Sequence, residues 1–379
     1  KDQTMTLLYS DIPPLKVPSG QETINACFHR LFSQSDEISI AVGYISRNAL
    51  DELDSLIEQY KPKRVVLTMG MYYIEGMPES SYHKAKALNK KWVQSGRGEI
   101  RVVRSMKYHG KLYLFSKDGL PVGAIDGSAN LGVISSDANN LRQYEVATLI
   151  ESQLELSLIR ALIDDIVNRS SVNIDEVDDM KIIRENNSYI GESDSAEKIP
   201  EADVDAYKNH TTNVSFSLPL KVPTEAERRS GEGHFMKSNI NVCYAAPRSA
   251  RKSRDWYEIQ ITVDKEYTLR PGYPEKNKPF YIVTDDGYKF KAHTTSDGNK
   301  QLNAVGDELL IGRWLKGRLA SAGLVTPVND TMADVDKKGM ITKEMLDEYG
   351  RHTLQFTKTD EHIEDPEEGS LDVWLLLFE

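Results

Sequence analysis

The chain has 379 residues, and its 47 lysines and arginines against 58 aspartates and glutamates give a formal net charge of −11. This length exceeds what one hydrophobic core usually organises, so we expect two domains. Cys27 and Cys243 lack the spacing of a zinc site or a disulfide framework, and no apolar run could span a bilayer, so the sequence disfavours a secreted scaffold and a membrane protein and indicates the cytoplasm.

Residues 1–170 alternate between strand-like and helix-like segments. Helical spacing of apolar residues predicts helices at residues 21–32, 46–60, 80–94 and 154–167. Apolar runs predict strands at residues 38–42, 65–69, 100–103, 112–115 and 146–150. Ser46 is the expected N-cap of the second helix. The alternation is typical of an α/β domain in which helices flank a mixed sheet on both faces.

One short motif in this half carries chemistry. His109-Gly110-Lys111 lies in a predicted strand at residues 108–115, so His109 and Lys111 would share one strand face. Ser128 and Asn130 follow the next predicted strand, after a glycine turn. A histidine can act as a nucleophile, and the lysine, hydroxyl and amide groups could stabilise the oxygens of one phosphate. No carboxylate cluster accompanies them, so we expect no metal or other cofactor.

The two motifs, H-x-K and G-S-x-N, resemble the signature of the phospholipase D superfamily over residues 1–170. The resemblance implies a phosphodiesterase with His109, Lys111, Ser128 and Asn130 as catalytic residues. The superfamily usually has an aspartate five residues after the lysine, and this chain has Ser116 there. Metal-independent restriction nucleases of the BfiI and NgoFVII types use a downstream glutamate instead, which makes Glu145 the candidate. The alternative roles for Glu145 are a surface salt bridge and a strand carboxylate whose hydrogen bonds are satisfied.

The superfamily reaction implies two imidazoles, one that attacks phosphorus and one that protonates the leaving oxygen. None of the other seven histidines has a lysine two residues later. Two copies of His109 would meet if two chains were related by a twofold axis, which is the commonest closed assembly. We therefore expect a homodimer with one shared active site, a phosphohistidine intermediate and sequential cleavage of the two strands.

The second half of the chain has a different pattern. Residues 171–229 are polar and acidic, and we interpret them as a linker region. Strands are predicted at residues 256–263, 280–284, 288–294, 353–357 and 373–378, and helices at residues 308–322 and 342–349. Asp285-Asp286-Gly287 is typical of a hairpin turn. Residues 230–379 are therefore predicted to form a β-rich domain.

This domain has candidate DNA-binding cations, because phosphate binding depends on local rather than net charge. They are Arg248, Arg251, Lys252, Arg254, Lys291 and Lys300. A solvated basic loop is the alternative interpretation of residues 248–254. The strand-rich order resembles the plant B-three-like DNA-binding pseudobarrel of BfiI-type and NgoFVII-type enzymes, and that resemblance implies two DNA-gripping arms at residues 248–254 and 293–300.

These features together predict a type II-like restriction endonuclease that hydrolyses double-stranded DNA. Some enzymes of the NgoFVII type work with an accessory ATPase subunit, and the chain itself has no G-x-x-x-x-G-K-[ST] run. Alternatives are a phospholipid-processing enzyme, which would ordinarily have a membrane-contact segment, and a transferase or non-specific nuclease, which would not require the second domain. A DNA-binding protein with a decayed catalytic half is the non-enzymatic alternative, suggested by Ser116.

Overall fold

The computed structural model describes residues 5–135, 143–184, 186–191, 193–250 and 252–379. The chain divides into two compact units, Lys1–Glu185 and Asn186–Glu379. The strands of the first unit are β1 (Thr6–Leu8), β2 (Glu37–Val42), β3 (Arg64–Met69), β4 (Met77–Pro78), β5 (Gly98–Val103), β6 (Lys111–Lys117), β7 (Leu120–Gly127), β8 (Ala147–Ile150), β9 (Ser171–Asn173) and β10 (Ile182–Ile183). Its helices are α1 (Ile24–Gln34), α2 (Arg47–Tyr60), α3 (Tyr72–Glu75), α4 (Glu79–Gln94) and α5 (Gln153–Asp165).

The first unit is built on one mixed sheet with the strand order β1-β8-β7-β6-β2-β3-β5-β9. β2, β3 and β5 are parallel to one another, whereas β6, β7 and β8 are each antiparallel to their neighbours. Tyr113 and Phe115 of β6 join the core that contains residues of α1, α2 and α4. The alternate residues Leu112 and Leu114 join the core that contains Leu156 of α5. Helices on both faces of a mixed sheet confirm the α/β prediction.

Helix starts follow from side-chain caps. The hydroxyl of Ser46 accepts a hydrogen bond from the Ala49 amide at 3.2 Å, which confirms the predicted cap of α2. Thr23 caps α1 by accepting from the Ala26 amide at 3.0 Å. The helix predicted from residue 21 therefore begins at Ile24, because the cap residue has extended backbone geometry.

Residues 171–229, predicted as a linker region, contain elements of both units. β9 pairs with β5 and β10 pairs with β4, so the first unit continues past residue 170. Residues 186–229 contribute strands and helices to the second unit. The stretch is polar overall, yet its few apolar residues, such as Ile174 and Phe216, are buried in the two cores. The average composition of the stretch does not reveal these buried apolar residues.

The second unit is rich in strands. Its strands are β11 (Ala196–Lys198), β12 (Thr211–Pro219), β13 (Ile261–Thr262), β14 (Phe280–Thr284), β15 (Tyr288–Thr295), β16 (Gln301–Ala304), β17 (Thr353–Asp365) and β18 (Gly369–Leu377). Its helices are α6 (Glu201–Lys208), α7 (Glu225–Ser230), α8 (Lys265–Thr268), α9 (Leu310–Ser321) and α10 (Lys343–Tyr349). The strands form a curled sheet with the order β12-β17-β18-β14-β15-β16-β13, and β11 pairs with β15.

The hairpin predicted at Asp285-Asp286-Gly287 joins β14 to β15, and Gly287 has the positive φ of +87° that the turn requires. The strand predicted at residues 256–263 is confirmed only over β13. Trp256 instead inserts into the core, where its indole donates to the Gly339 carbonyl at 2.8 Å. The packing of one large side chain thus replaces strand pairing at this point.

A buried ion pair joins α9 to the hairpin. The guanidinium of Arg318 donates to both carboxylate oxygens of Asp285, at 2.8 and 2.6 Å. It also donates to the Tyr349 hydroxyl at 2.6 Å and to the Phe378 carbonyl at 3.0 Å. One side chain thereby connects α9, the β14–β15 turn, α10 and the residue that follows β18.

We expect Arg318→Met to destabilise the second unit by about 3–5 kcal/mol, because it removes the positive charge that faces the buried Asp285 carboxylate. Arg313→Met is the matched control on the same helix, since its pair with Asp307 at 2.8 Å is partly exposed, and such pairs contribute about 0–1 kcal/mol. Urea denaturation followed by tryptophan fluorescence measures both losses. Equal losses in the two variants would contradict the structural role of Arg318.

Candidate active site

The predicted catalytic residues meet at one edge of the first sheet. Val42 at the end of β2 pairs with Lys111 at the start of β6, and Gly127 at the end of β7 pairs with Ala147 at the start of β8. These pairings align strand ends that are far apart in sequence. His109, Ser128, Asn130 and Glu145 lie in the segments that enter or leave these strand ends. We refer to this border of the sheet as the catalytic edge.

His109 and Lys111 are in contact, although His109 precedes β6 instead of lying within it. The Lys111 ammonium nitrogen lies 3.2 and 3.1 Å from the Nδ1 and Nε2 atoms of His109. It also donates to the His109 carbonyl at 2.6 Å. Lys111 is 7% exposed, whereas His109 is exposed. A buried cation therefore lies beside an accessible imidazole, as a nucleophile and its anion-stabilising partner require.

Two glycines allow the backbone before β6 to approach the strand ends closely. A Cβ atom on Gly70 would lie 1.9 Å from the Tyr108 carbonyl oxygen, and the Tyr108 amide donates to the Gly70 carbonyl at 3.0 Å. A Cβ atom on Gly43 would lie 3.1 Å from the His109 ring. Larger residues at either position would displace the segment that carries the imidazole.

Tyr44 links several of these groups, although it lies outside the two motifs and was not predicted to belong to the site. Its amide donates to the Asn130 side-chain oxygen at 3.1 Å, which leaves the Asn130 side-chain NH₂ group as the available donor. Its ring lies edge-on to the His109 ring, with centroids 5.8 Å apart. Its hydroxyl donates to Glu75 at 2.5 Å. The signal that could have found Tyr44 is its position directly after β2, next to Gly43.

Ser128 and Glu145 form a second cluster at the catalytic edge. The Ser128 hydroxyl donates to one Glu145 carboxylate oxygen, and the Gln143 amide donates to the other at 2.6 Å. The Ser10 hydroxyl accepts from the Glu145 amide at 2.9 Å. Glu145 lies two residues before β8. No hydrogen bond joins Glu145 to His109, both of which lie within the described part of the chain. The Glu145 carboxylate instead accepts from Ser128.

Ser116, at the position where the superfamily usually has an aspartate, lies far from the imidazole. Ser116 is buried near the far end of β6, five positions beyond Lys111. At about 3.3 Å per strand residue, it lies roughly 16 Å along the strand from the catalytic edge. Its side chain therefore cannot contact the imidazole of the same chain.

The electrostatics of the site centre on Lys111. Burial lowers the pKa of its ammonium below the ordinary value of 10.5, and the attraction of the Glu145 carboxylate partly opposes that shift. Asn130 and Glu145 also line a cavity of about 370 Å³. The catalytic edge thus carries a cation, an amide, a hydroxyl and an exposed imidazole, which is a suitable environment for a phosphodiester.

The predicted DNA-binding cations near residue 250 are partly neutralised. Arg248 and Arg254 both donate to Glu258, at 2.7 and 2.5 Å. Lys252 is exposed and forms no ion pair with the described residues. Arg251 lies outside the described residues. Among the described cations of this segment, Lys252 is therefore the one available to a ligand without breaking an ion pair.

The remaining predicted cations divide in the same way. Lys291 pairs with the buried carboxylate of Asp365 at 2.7 Å, which holds the pKa of Asp365 well below its usual range. Lys300 is exposed. Lys316 is fully buried and donates to the Trp256 carbonyl. Arg318 is buried as well, so neither residue adds positive charge to the surface.

One cluster of potential metal ligands occurs within the described residues, and it lies in the second unit. His210 pairs with Asp360 at 3.1 Å and with Glu361 at 3.3 Å. At the catalytic edge, Glu145 has both carboxylate oxygens engaged by Ser128 and Gln143. Among the described helices, none combines the length and apolarity needed to cross a membrane.

Two family profiles match most of the chain. The NgoFVII restriction endonuclease N-terminal PLD domain matches residues 22–179. The NgoFVII C-terminal B3-like DNA-binding domain matches residues 206–360. No curated protein sequence matches the chain.

Similar solved structures include phosphatidylserine synthase from Haemophilus influenzae Rd KW20, with 17% identity, a TM-score of 0.32, and coverage of 45% of this chain and 39% of that one. TrmBL2, an archaeal chromatin protein, has 12% identity, a TM-score of 0.26, and coverage of 38% and 48%. Nuc from Salmonella typhimurium, a phospholipase D family member, has 13% identity, a TM-score of 0.28, and coverage of 45% and 97%. The chain thus spans less than half the length of the first two.

We expect the pKa of Lys111 to lie below 10.5 and Glu145→Gln to lower it further, because the neutral amide no longer attracts the ammonium charge. Lys111 would then lose its positive charge at a lower pH than in the wild type. NMR titration of ¹³C-dimethylated lysines measures the value, and Lys111→Arg assigns the signal. Glu151→Gln, at the opposite end of β8, is the control that leaves it unchanged. A Lys111 pKa that Glu145→Gln does not move would contradict the assignment.

Proposed function

Because the chain belongs to the NgoFVII family of phospholipase D superfamily restriction endonucleases, we propose that it cleaves double-stranded DNA at specific sequences through a phosphohistidine on His109, without a metal ion. Its class, a phosphodiesterase of the nuclease type, follows from the family. The observation that carries the proposal is the contact between the buried Lys111 ammonium and the exposed His109 imidazole.

The first step is attack of a His109 ring nitrogen on the scissile phosphorus. A P–N bond forms and the P–O bond to the departing sugar breaks, while an acid protonates the sugar oxygen. Lys111, Ser128 and the Asn130 amide would hold the phosphoryl oxygens as negative charge develops, and such preorganised donors usually make a large contribution to the rate. Glu145 would fix the Ser128 hydroxyl and sustain the charge on Lys111.

The acid in this step must be a second imidazole, and a second copy of the chain is its best source. The other two histidines of the first unit are held by glutamates, His29 by Glu52 at 3.2 Å and His83 by Glu79 at 3.7 Å. A twofold dimer would bring two copies of His109 to one phosphate. The second imidazole would then remove a proton from water, whose oxygen attacks phosphorus and releases the first. One shared site would cut the two DNA strands sequentially.

Two features support the absence of a metal requirement. The catalytic edge presents an imidazole and an ammonium group, whereas hard divalent cations prefer several oxygen ligands. The lysine already supplies the positive charge that a metal would otherwise bring to the phosphoryl oxygens. The chemistry of the donor set therefore favours cleavage in the presence of chelator.

DNA specificity would come from the B3-like second unit, where the exposed Lys252 and Lys300 are the leading contacts among the described candidates. Arg248 and Arg254 would need to exchange Glu258 for DNA. An accessory ATPase subunit and a cytoplasmic location complete the proposal, and the buried thiols of Cys27 and Cys243 agree with a reducing compartment. The preserved contact between His109 and Lys111 favours an enzyme over a decayed DNA-binding protein.

His109→Ala should abolish plasmid cleavage and leave DNA affinity within about twofold, because the exposed imidazole supplies chemistry more than binding. Gel assays of cleavage and fluorescence anisotropy of DNA binding measure the two effects. Wild-type enzyme should cut in excess EDTA and yield an acid-labile phosphoryl adduct on His109. His83→Ala is the control that retains cleavage.

Other results would contradict the mechanism. Residual cleavage by His109→Ala, or loss of wild-type activity in EDTA, would remove the histidine nucleophile or the metal independence, respectively. Sedimentation of the active enzyme as a monomer would remove the shared site.

Lys252→Ala and Lys300→Ala should each weaken binding to cleavable DNA by roughly 1–3 kcal/mol if the lysine contacts a base. A lysine that contacts only phosphate would weaken all sequences equally. Lys291→Ala is the matched control, because its ammonium is engaged by Asp365; we expect it to lower the unfolding temperature more than the DNA affinity. Anisotropy titrations measure the DNA affinity of the three variants, and thermal melts measure their unfolding temperatures. A larger loss of DNA affinity in Lys291→Ala than in Lys252→Ala and Lys300→Ala would contradict the assignment.

A further inference from the structure

A second hollow lies along the catalytic edge, beside the ends of β5 and β9. Its volume is about 390 Å³, and it is lined by Tyr73, Arg104, Ser105, Arg169, Ser170, Ser171 and Val172. Its walls carry two guanidinium groups and three serines, and no carboxylate is among the described lining residues. Its chemistry therefore matches a phosphate, whose oxygens accept hydrogen bonds from arginine and hydroxyl groups. We call it the distal hollow.

The other edge of the same sheet provides an internal comparison. A hollow of about 190 Å³ there also contains two arginines, Arg64 and Arg160. Glu37 and Asp164 line that hollow as well. Arginines alone therefore do not distinguish the distal hollow. What distinguishes it is the absence of acidic residues from its described lining and its position on the catalytic edge.

Both arginines of the distal hollow are positioned yet remain available. Arg104 stacks over the Tyr73 ring at 4.9 Å and donates to the Tyr73 hydroxyl at 3.2 Å. Its distance to Asp179 is 3.8 Å, and Arg169 lies 3.3 Å from Asp165. Both pairs are exposed, and exposed pairs contribute about 0–1 kcal/mol. A phosphate could therefore replace either carboxylate at little cost.

The strand order relates the distal hollow to the nucleophile. From β6, which follows His109, the edge passes β2 and β3 before reaching β5. Three strand spacings of about 4.8 Å give roughly 14 Å. Phosphates of one DNA strand advance about 3.4 Å each along the helix axis. The distance thus corresponds to a few nucleotides from the scissile phosphate.

We propose that the distal hollow binds a backbone phosphate of the DNA strand that enters the active site, through Arg104 and Arg169. The inference rests on the proposed nuclease function and deepens it. The hollow would set the direction of the strand along the catalytic edge and contribute affinity that is independent of sequence.

The test is a double variant, Arg104→Ala with Arg169→Ala, in the full chain. The slope of log affinity for a random-sequence duplex against log salt concentration should become shallower by about 1 for each hollow engaged. The KM for plasmid cleavage should rise roughly tenfold, since a charge-assisted contact is lost. Hydrolysis of bis(p-nitrophenyl) phosphate should be unchanged, because this small diester cannot reach the hollow.

Arg64→Ala with Arg160→Ala is the matched control, because it removes the same charge from the same sheet at the opposite edge. A wild-type salt slope in the first double variant, or equal slope changes in both, would overturn the proposal. Loss of small-diester hydrolysis in the first double variant would show an effect on the active site itself and would also overturn it. If the wild type hydrolysed neither plasmid DNA nor the small diester, the proposed function would fail. The salt dependence of DNA binding would still show whether the distal hollow binds a phosphate.

Discussion

The pairing of β6 between β2 and β7 is the constraint on which the candidate active site depends. It aligns the start of β6 with the end of β2, so that the rings of His109 and Tyr44 meet at the catalytic edge. A shift of one residue would turn Lys111 to the opposite face of the sheet, because side chains alternate along a strand. The two cores on either side of β6 oppose such a shift, since each takes alternate residues of this strand.

Glycines allow the neighbouring backbone segments to approach the aligned strand ends closely. Gly70 admits the Tyr108 carbonyl, and Gly127 lies against the backbone at Val146 and Ala147. These close approaches bring the irregular segments at 104–110 and 143–146 against the strand ends. Tyr44 then connects His109 with Asn130, and Ser128 connects to Glu145. The site is thus held by backbone geometry and by residues outside the two motifs.

Charge is distributed in a way that the net value of −11 hides. Some cations serve the interior, such as Arg318 with Asp285 and Lys316 beneath Trp256. Others are neutralised by neighbours, as Lys291 is by Asp365. Lys252, Lys300 and the arginines of the distal hollow are described cations that remain available. A nucleic-acid-binding role therefore depends on which cations lack a strong partner, and net charge does not report this.

Local patterns determined the helices, most strands, the β14–β15 hairpin and the pair of motifs, because periodicity, caps and turn residues act over a few neighbouring positions. They also carried the family resemblance. They did not indicate the elements within residues 171–229, and they failed for the strand at 256–260, where a few buried residues outweigh local composition. Tyr44, the Ser128–Glu145 contact and the sorting of cations into buried, paired and exposed groups were decided by tertiary structure alone. Each depends on contacts between residues distant in sequence, and only the folded sheet brings those residues together.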